Sequence, residues 1–391
     1  MILLNMKIDN ICMFNNFEID FTIDRLQGES IVGNERIKCA PNIKYKKLNI
    51  IMGGNATGKT TFGKVICEME NLLLGRPSSI IKKIYDKKMD SSCEILFVEG
   101  KYLFNYLLEV KENKYIEKLK YTKLRKSKNL DSHKKYLEKE PSIETSNDVY
   151  SFEKDKLIIS KVIDSFFEEE KSDFKLFFTK NFAYYFRFAS FTENSINPNI
   201  SDELLKETEK ILKIIDNSID SIRTIESTSL NNKDNDNIKE DDYYIVFKNG
   251  ERVLVEESNP KNIKDNRLSQ GTIEAIEMSY ILKNLNSFPG TVYLDEQMAY
   301  MHTELSNDLI LKLIESNKDS QIFITTHNEN VLDLNVPIHS YTFFTRNDGV
   351  IGVVNPEKKL NKNDRNLKLY VQNNYFETYP ELDDLWRNLD E

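Results

Sequence analysis

Apolar and polar positions alternate along residues 6–21, with Met6, Ile8 and Ile11 before an Asn15-Asn16 turn and Phe17, Ile19 and Phe21 after it, which predicts paired strands. An apolar run follows at Leu48–Met52. The period then changes: Val65, Ile66, Met69, Leu72 and Leu73 recur at helical spacing across 62–74, predicting a helix that buries one face against a sheet. Residues 93–98 and 102–110, joined by Glu99-Gly100-Lys101, predict a hairpin. Helical spacing returns at 157–167 and at 203–222, where Leu204, Thr208, Ile211, Ile215, Ile219 and Ile222 would share a face. Between these, residues 181–191 are rich in Phe and Tyr and fit either a buried strand or a partner-facing surface. Residues 226–242 carry few apolar groups and predict a loop. Tyr243–Phe247 and 251–257 flank Lys248-Asn249-Gly250, a hairpin signal. A helix over 273–285 and apolar strands over 291–296 and 321–327 complete a pattern of interleaved strands and helices, hence an α/β fold without internal repeats.

Chemistry gathers at the ends of three of these strands. After the first, Gly53-Gly54-Asn55-Ala56-Thr57-Gly58-Lys59-Thr60 opens the predicted helix, the context a phosphate-binding loop needs. Glycines let successive amides turn toward one anion, and the helix adds its positive dipole end. Lys59 is placed to reach the β- and γ-phosphates and Thr60 to ligate magnesium. The second strand ends in adjacent carboxylates, Asp295 and Glu296, a pairing suited to magnesium and to orienting and deprotonating water. The third ends in His327, able to sense a γ-phosphate. Ahead of the helix at 273–285, Leu268-Ser269-Gln270-Gly271-Thr272 offers the Ser269 hydroxyl and the Gly271 amide as anion donors, although Ser-x-Gly before a helix is also an ordinary cap.

With 391 residues and 40% apolar content the chain can bury a full core, as one large domain with an insertion or as two domains. Its net charge of −9 excludes a protein that is basic overall, so any nucleic-acid contact must be local. The local candidate is 111–139, where eleven Lys or Arg face four acids and Tyr115, Tyr121 and Tyr136 interleave. Such a run is either a solvated arm or a surface for nucleic acid or an acidic partner. Apolar runs fall short of the roughly 20 residues that span a bilayer, and the start is too short in apolar length for a secretory signal, so a cytoplasmic location is expected. Cys12, Cys39, Cys67 and Cys93 are scattered, without the close pairs of zinc sites, and read as reduced packing residues.

The order of phosphate loop, Leu-Ser-x-Gly-x motif, Asp-Glu strand and Thr-His strand resembles the ATP-binding-cassette ATPases. Within them it resembles the soluble branch of SMC, RecF and OLD-like ATPases. The Lys7-Ile8-Asp9-Asn10 start, the region inserted between phosphate loop and signature, and the tail Asn363 to Tyr370 ahead of Pro380 carry the similarity, the tail pointing to stand-alone OLD-like ATPases of bacterial anti-phage defence. The resemblance covers about residues 1 to 110 and 200 to 380. It implies an α/β ABC-ATPase head with a mixed sheet around a P-loop core, an antiparallel β subdomain and an inserted mainly helical region. The expected divisions are 1–110 for the N-terminal half of the head, 111–240 for the inserted helical region with its basic arm, and 241–391 for the C-terminal half.

The resemblance further implies ATP and magnesium as cofactors and a head-to-tail homodimer, or higher homo-oligomer, enclosing ATP. Asn55, Ala56, Thr57, Gly58, Lys59, Thr60 and Thr61 of one copy would hold phosphates, with Ser269 and Gly271 from the other. Thr60 and Asp295 would hold the metal, Glu296 would serve as base and His327 as switch, with Lys59 also catalytic. Met301 and His302 fall in the segment that crosses to the partner site in the family, which makes His302 an interface candidate. Two departures stand out. Glutamine occurs only at 27, 270, 297, 321 and 372, so the usual coupling glutamine after the phosphate loop is missing, which disfavours a transporter subunit. The segment 111–139, even if wholly helical, would span only about 45 Å at about 1.5 Å per residue, too short for a chromosome-tethering coil.

The expected activity is ATP hydrolysis by a sensor or scaffold of prokaryotic antiviral defence that controls a separate effector, a nuclease. The effector is placed on another chain because this one shows no His-Asn-His arrangement, no zinc cysteine pair and no extension sized for a nuclease domain. The alternative is a RecF-like repair ATPase that clamps nucleic acid directly through 111–139.

Overall fold

The computed structural model describes residues 1–24, 31–73, 76–149, 183–188, 192–194, 202–224, 242–255, 268–285, 290–317, 320–360 and 366–378. They divide into two compact units, one of Met1–Ser195, Pro289–Glu296 and Asp319–Glu391, the other of Ile196–Phe288 and Gln297–Lys318.

In chain order the first unit begins with strands β1 (Ile2–Asp9), β2 (Phe17–Asp20), β3 (Arg36–Ile37), β4 (Ala40–Lys44) and β5 (Leu48–Met52), then helix α1 (Lys59–Leu73). Strands β6 (Ser91–Glu99), β7 (Tyr102–Lys111) and β8 (Lys114–Lys123), helix α2 (Leu130–Lys139), and strands β9 (Ile143–Asp148), β10 (Ala183–Arg187) and β11 (Thr192–Asn194) follow. The second unit holds helix α3 (Asp202–Ile215), strands β12 (Ile219–Thr224), β13 (Tyr243–Phe247) and β14 (Arg252–Val255), and helix α4 (Gln270–Leu285). The chain returns to the first unit for β15 (Gly290–Asp295), gives helix α5 (Thr303–Ser316) to the second, and re-enters the first with β16 (Gln321–Thr326), β17 (Tyr341–Asn347) and β18 (Val350–Val354). Short helices α6 (Pro356–Lys359) and α7 (Leu367–Gln372) come last.

Two large sheets and the small β3-β4 pair build the first unit. One is antiparallel, in the order β2-β1-β6-β7-β8-β9. The other is mixed, in the order β11-β10-β15-β16-β5-β17-β18, with five parallel central strands and one antiparallel strand at each edge. Every residue of β5 and β15 is buried, as expected for parallel strands covered on both faces. Phe62 of α1 packs against Phe14, Phe17, Phe21 and Phe344, so a knot of rings binds the helix to both sheets. The mixed sheet around a phosphate-loop helix and the antiparallel subdomain are the architecture expected from the sequence.

Two expectations change in detail. Residues 111–139 were expected in an inserted helical region, yet Lys114–Lys123 extend the antiparallel sheet as β8, and only α2 is helical. Strand alternation explains it: Tyr115, Glu117 and Leu119 are buried on one face while Lys118 and Lys120 stand on the other. The helix expected over 203–222 stops at Ile215, because Asp216 accepts hydrogen bonds from the Ser218 amide and hydroxyl and turns the chain. Ile219 and Ile222 then pair with Phe247 and Ile245 as strand β12. Of the two readings of 181–191, the strand is observed at β10, with Phe186 and Phe188 buried; the helix expected at 157–167 and most of the loop at 226–242 lie outside the described residues. Among the described residues no helix is long and apolar enough to cross a membrane.

Candidate functional site

The C-terminal ends of β5, β15 and β16 converge because β16 lies between the other two and pairs with both in parallel. The loop after β5 carries two backbone demands. Gly53 has φ +155°, and a Cβ there would stand 2.4 Å from the Phe344 carbonyl oxygen, while Ala56 sits at φ +59°. The turn is therefore tight against β17 and is finished by α1. Thr57 donates its hydroxyl to the Gly54 carbonyl and braces the loop from within. Asn55 and Ala56 are exposed, whereas Thr57, Gly58 and Lys59 are buried.

Lys59 is 5% exposed and its ammonium donates to the carbonyls of Gly53 (2.8 Å) and Gly54 (3.1 Å), with Glu296 Oε1 at 3.7 Å. Burial pushes this amine below the usual lysine range, and the carboxylates of Glu296 and Asp295 pull it part of the way back. The group is held over the loop by these two carbonyls. His327 Nδ1 also lies 3.7 Å from Glu296 Oε1, so one carboxylate oxygen stands between the lysine and the histidine. Glu296 itself is at φ +52°. Its amide bonds to the Thr325 carbonyl (3.1 Å) and hydroxyl (3.0 Å), which fixes this unusual backbone.

Asp295 is the hub of the buried layer. It accepts from the Thr60 hydroxyl at 2.8 Å and from the Thr325 hydroxyl at 2.7 Å. Burial raises its carboxyl above the ordinary aspartate range, and these two hydrogen bonds oppose the shift. Thr60 and Asp295 present hard oxygen donors side by side at the start of a helix, a set that fits magnesium, which takes few protein ligands and retains water and phosphate oxygens. Thr61 lies one residue further and is half-buried. Among the described residues no group of three or more His, Cys, Asp or Glu forms a metal site by itself.

Thr325 is the residue that the motifs did not single out. The register pairs it with Asp295 across β15 and β16, and it touches both carboxylate residues through three hydrogen bonds. Its only sequence signal is a strand-end threonine two positions before His327. Behind the site, the Tyr293 hydroxyl donates to the Lys59 carbonyl at 2.7 Å, and its ring lies so close to Gly63 that a Cβ would meet it at 2.3 Å. Replacing Thr325 with valine keeps the shape and removes the hydroxyl. Chemical denaturation is expected to show about 1–3 kcal/mol lost, because Asp295 loses a buried donor. An unchanged midpoint would refute the positioning role.

Ser269 and Gly271 belong to the second unit, at the start of α4. The Ser269 side chain is exposed, its hydroxyl oxygen accepts from the Thr272 amide at 3.1 Å and its carbonyl from the Ile273 amide. The ordinary cap is thus realised, and the residue still faces solvent. Gly271 is buried with no room for a side chain, since a Cβ would stand 2.9 Å from the Tyr300 carbonyl oxygen. His302 is exposed at the head of α5.

Residues 48–333 match the family model described as "AAA domain, putative AbiEii toxin, Type IV TA system". Among solved structures, the chain is similar to an SMC head domain from Thermotoga maritima, with 12% identity, 91% of this chain and 99% of that chain covered, and a TM-score of 0.42. It is also similar to an Smc head bound to the C-winged helix domain of ScpA, with 14% identity, 92% and 99% covered, and a TM-score of 0.43. A third is an Smc head with an extended coiled coil bound to the C-terminal domain of ScpA derived from Pyrococcus furiosus, with 12% identity, 92% and 97% covered, and a TM-score of 0.43. Comparison with curated proteins found no match.

Proposed function

Because the chain belongs to the AAA-domain family whose model spans residues 48–333, we propose that it is an ABC-type ATPase whose copies associate head to tail around ATP and hydrolyse it. The observation that carries this reading is the Glu296 carboxylate, with Oε1 3.7 Å from both the Lys59 ammonium and the His327 ring at the rim of a phosphate loop. Loop amides from Asn55 to Thr61 and the Lys59 ammonium bind the phosphates. Thr60 and Asp295 would hold a magnesium ion, which would supply positive charge at the phosphates. Glu296 takes the proton of the attacking water, and His327 reports on the terminal phosphate through that carboxylate. Ser269 and Gly271 from the second copy close the site, which makes association conditional on ATP.

Such an ATP-conditioned assembly suits a sensor or scaffold that engages a separate effector, a nuclease, in prokaryotic antiviral defence. A family description that names a toxin of a toxin–antitoxin system supports defence over repair. The alternative, a RecF-like clamp on nucleic acid, is favoured by the exposed Lys114, Lys123, Arg125, Lys126, Lys134, Lys135 and Lys139. It requires DNA binding that weakens by about three to five decades between about 50 and 200 mM salt. Against it, Lys111 and Lys118 both pair with Glu109, so part of the basic excess is neutralised within the sheet.

The test is Ser269→Arg at an exposed position, with circular dichroism as the folding control because the lost α4 cap costs about 0.5–2 kcal/mol. The variant is expected to bind ATP like the unsubstituted chain yet remain monomeric by light scattering when ATP is added. Normal ATP-driven association of that variant would remove Ser269 from the shared site.

A further inference from the structure

Glu296 and His327, assigned to the terminal phosphate with Lys59, lie on one flank of the phosphate loop, after the ends of β15 and β16. The opposite flank is formed by β17, which pairs with β5 in parallel through Tyr341–Ile50, Thr342–Ile51 and Phe343–Met52. Three residues beyond that register, Arg346 reaches the loop, and its guanidinium donates to the Ala56 carbonyl at 3.3 Å. Arg346 is exposed. Its cross-strand partner in the β17–β18 hairpin is Ile351, and Ile351 packs directly beneath the loop, since a Cβ on Gly58 would meet its Cδ1 at 2.7 Å. One neighbour of the arginine is therefore wedged under the phosphate loop while the arginine itself lies against the loop's carbonyl side. The hairpin holds a cation at a fixed place on the loop's far flank.

A triphosphate whose terminal phosphate meets Lys59, Glu296 and His327 must run away from them, toward β17. We propose that Arg346 binds the α-phosphate of the nucleotide, as a positioning residue that holds its nucleoside half. This rests on the nucleotide-site reading above and adds to it a residue that none of the motifs contains. An exposed guanidinium with one neutral carbonyl partner among the described residues has donors to spare, and its planar fork suits a phosphate better than an ammonium does. The Ala56 carbonyl serves as a rest for the side chain.

The test compares ATP with pyrophosphate, which supplies only two phosphates and fills the Lys59 end. Affinities are measured by isothermal titration calorimetry in magnesium buffer for the unsubstituted chain, Arg346→Ala and Arg346→Lys. Arg346→Ala is expected to weaken ATP about tenfold or more while pyrophosphate stays within about twofold, and Arg346→Lys to recover only part of the loss. A brace acting only through the Ala56 carbonyl would weaken both ligands alike, and that result overturns the proposal. So does ATP binding unchanged in Arg346→Ala. An unsubstituted chain that binds no ATP overturns the nucleotide-site reading and this proposal together.

Discussion

Lys59→Ala is expected to abolish measurable ATP binding at concentrations that saturate the unsubstituted chain. The lysine ammonium is buried, and it donates to two loop carbonyls and faces Glu296. Its removal takes the cation from the centre of the site and leaves Glu296 and Asp295 facing the phosphates with like charge. A charge-assisted hydrogen bond contributes about 1.5–3 kcal/mol, so losing contacts to two phosphates lowers affinity by about two to four decades. Calorimetry checks it, with circular dichroism as the folding control. Binding within threefold of the unsubstituted chain would remove Lys59 from the phosphate site.

The second large effect falls on turnover. Glu296→Gln keeps the size of the side chain and leaves untouched the two hydrogen bonds from its amide to Thr325, so the backbone at φ +52° stays in place. What disappears is the proton acceptor and the negative charge between Lys59 and His327. Loss of a general base costs about 10²- to 10⁴-fold in rate. Steady-state phosphate release should fall by that factor while ATP affinity holds or rises, because a carboxylate facing the terminal phosphate has become neutral. Turnover unchanged in this variant would assign the base to another group.

How much of this was legible in the sequence depends on how local each signal is. The phosphate loop, the Asp295-Glu296 pair and His327 were readable because each motif lies within a few residues and ends an apolar run. The structure brings the ends of those strands together through the order β15-β16-β5, which no single run of residues encodes. Thr325 acquires its role only through its register opposite Asp295, 30 positions away in sequence. Arg346 is more remote still, 290 positions from the carbonyl it touches. The strand β12 was hidden by an accident of spacing, since Ile219 and Ile222 continue the three-and-four rhythm of α3 past a turn set by Asp216. The lysine-rich stretch misled for a related reason: charge density was plain, but the alternation of Tyr115, Glu117 and Leu119 that makes it a strand was masked by the many lysines between and around them.

The central claim is that ATP is enclosed jointly by two copies of this chain, and the mass of the Glu296→Gln protein tests it most directly. Sedimentation velocity in magnesium buffer is expected to show the mass doubling, or rising to a higher even multiple, when ATP is added and staying monomeric with ADP. A protein that binds ATP by calorimetry and sediments as the same single chain with and without it would contradict the account.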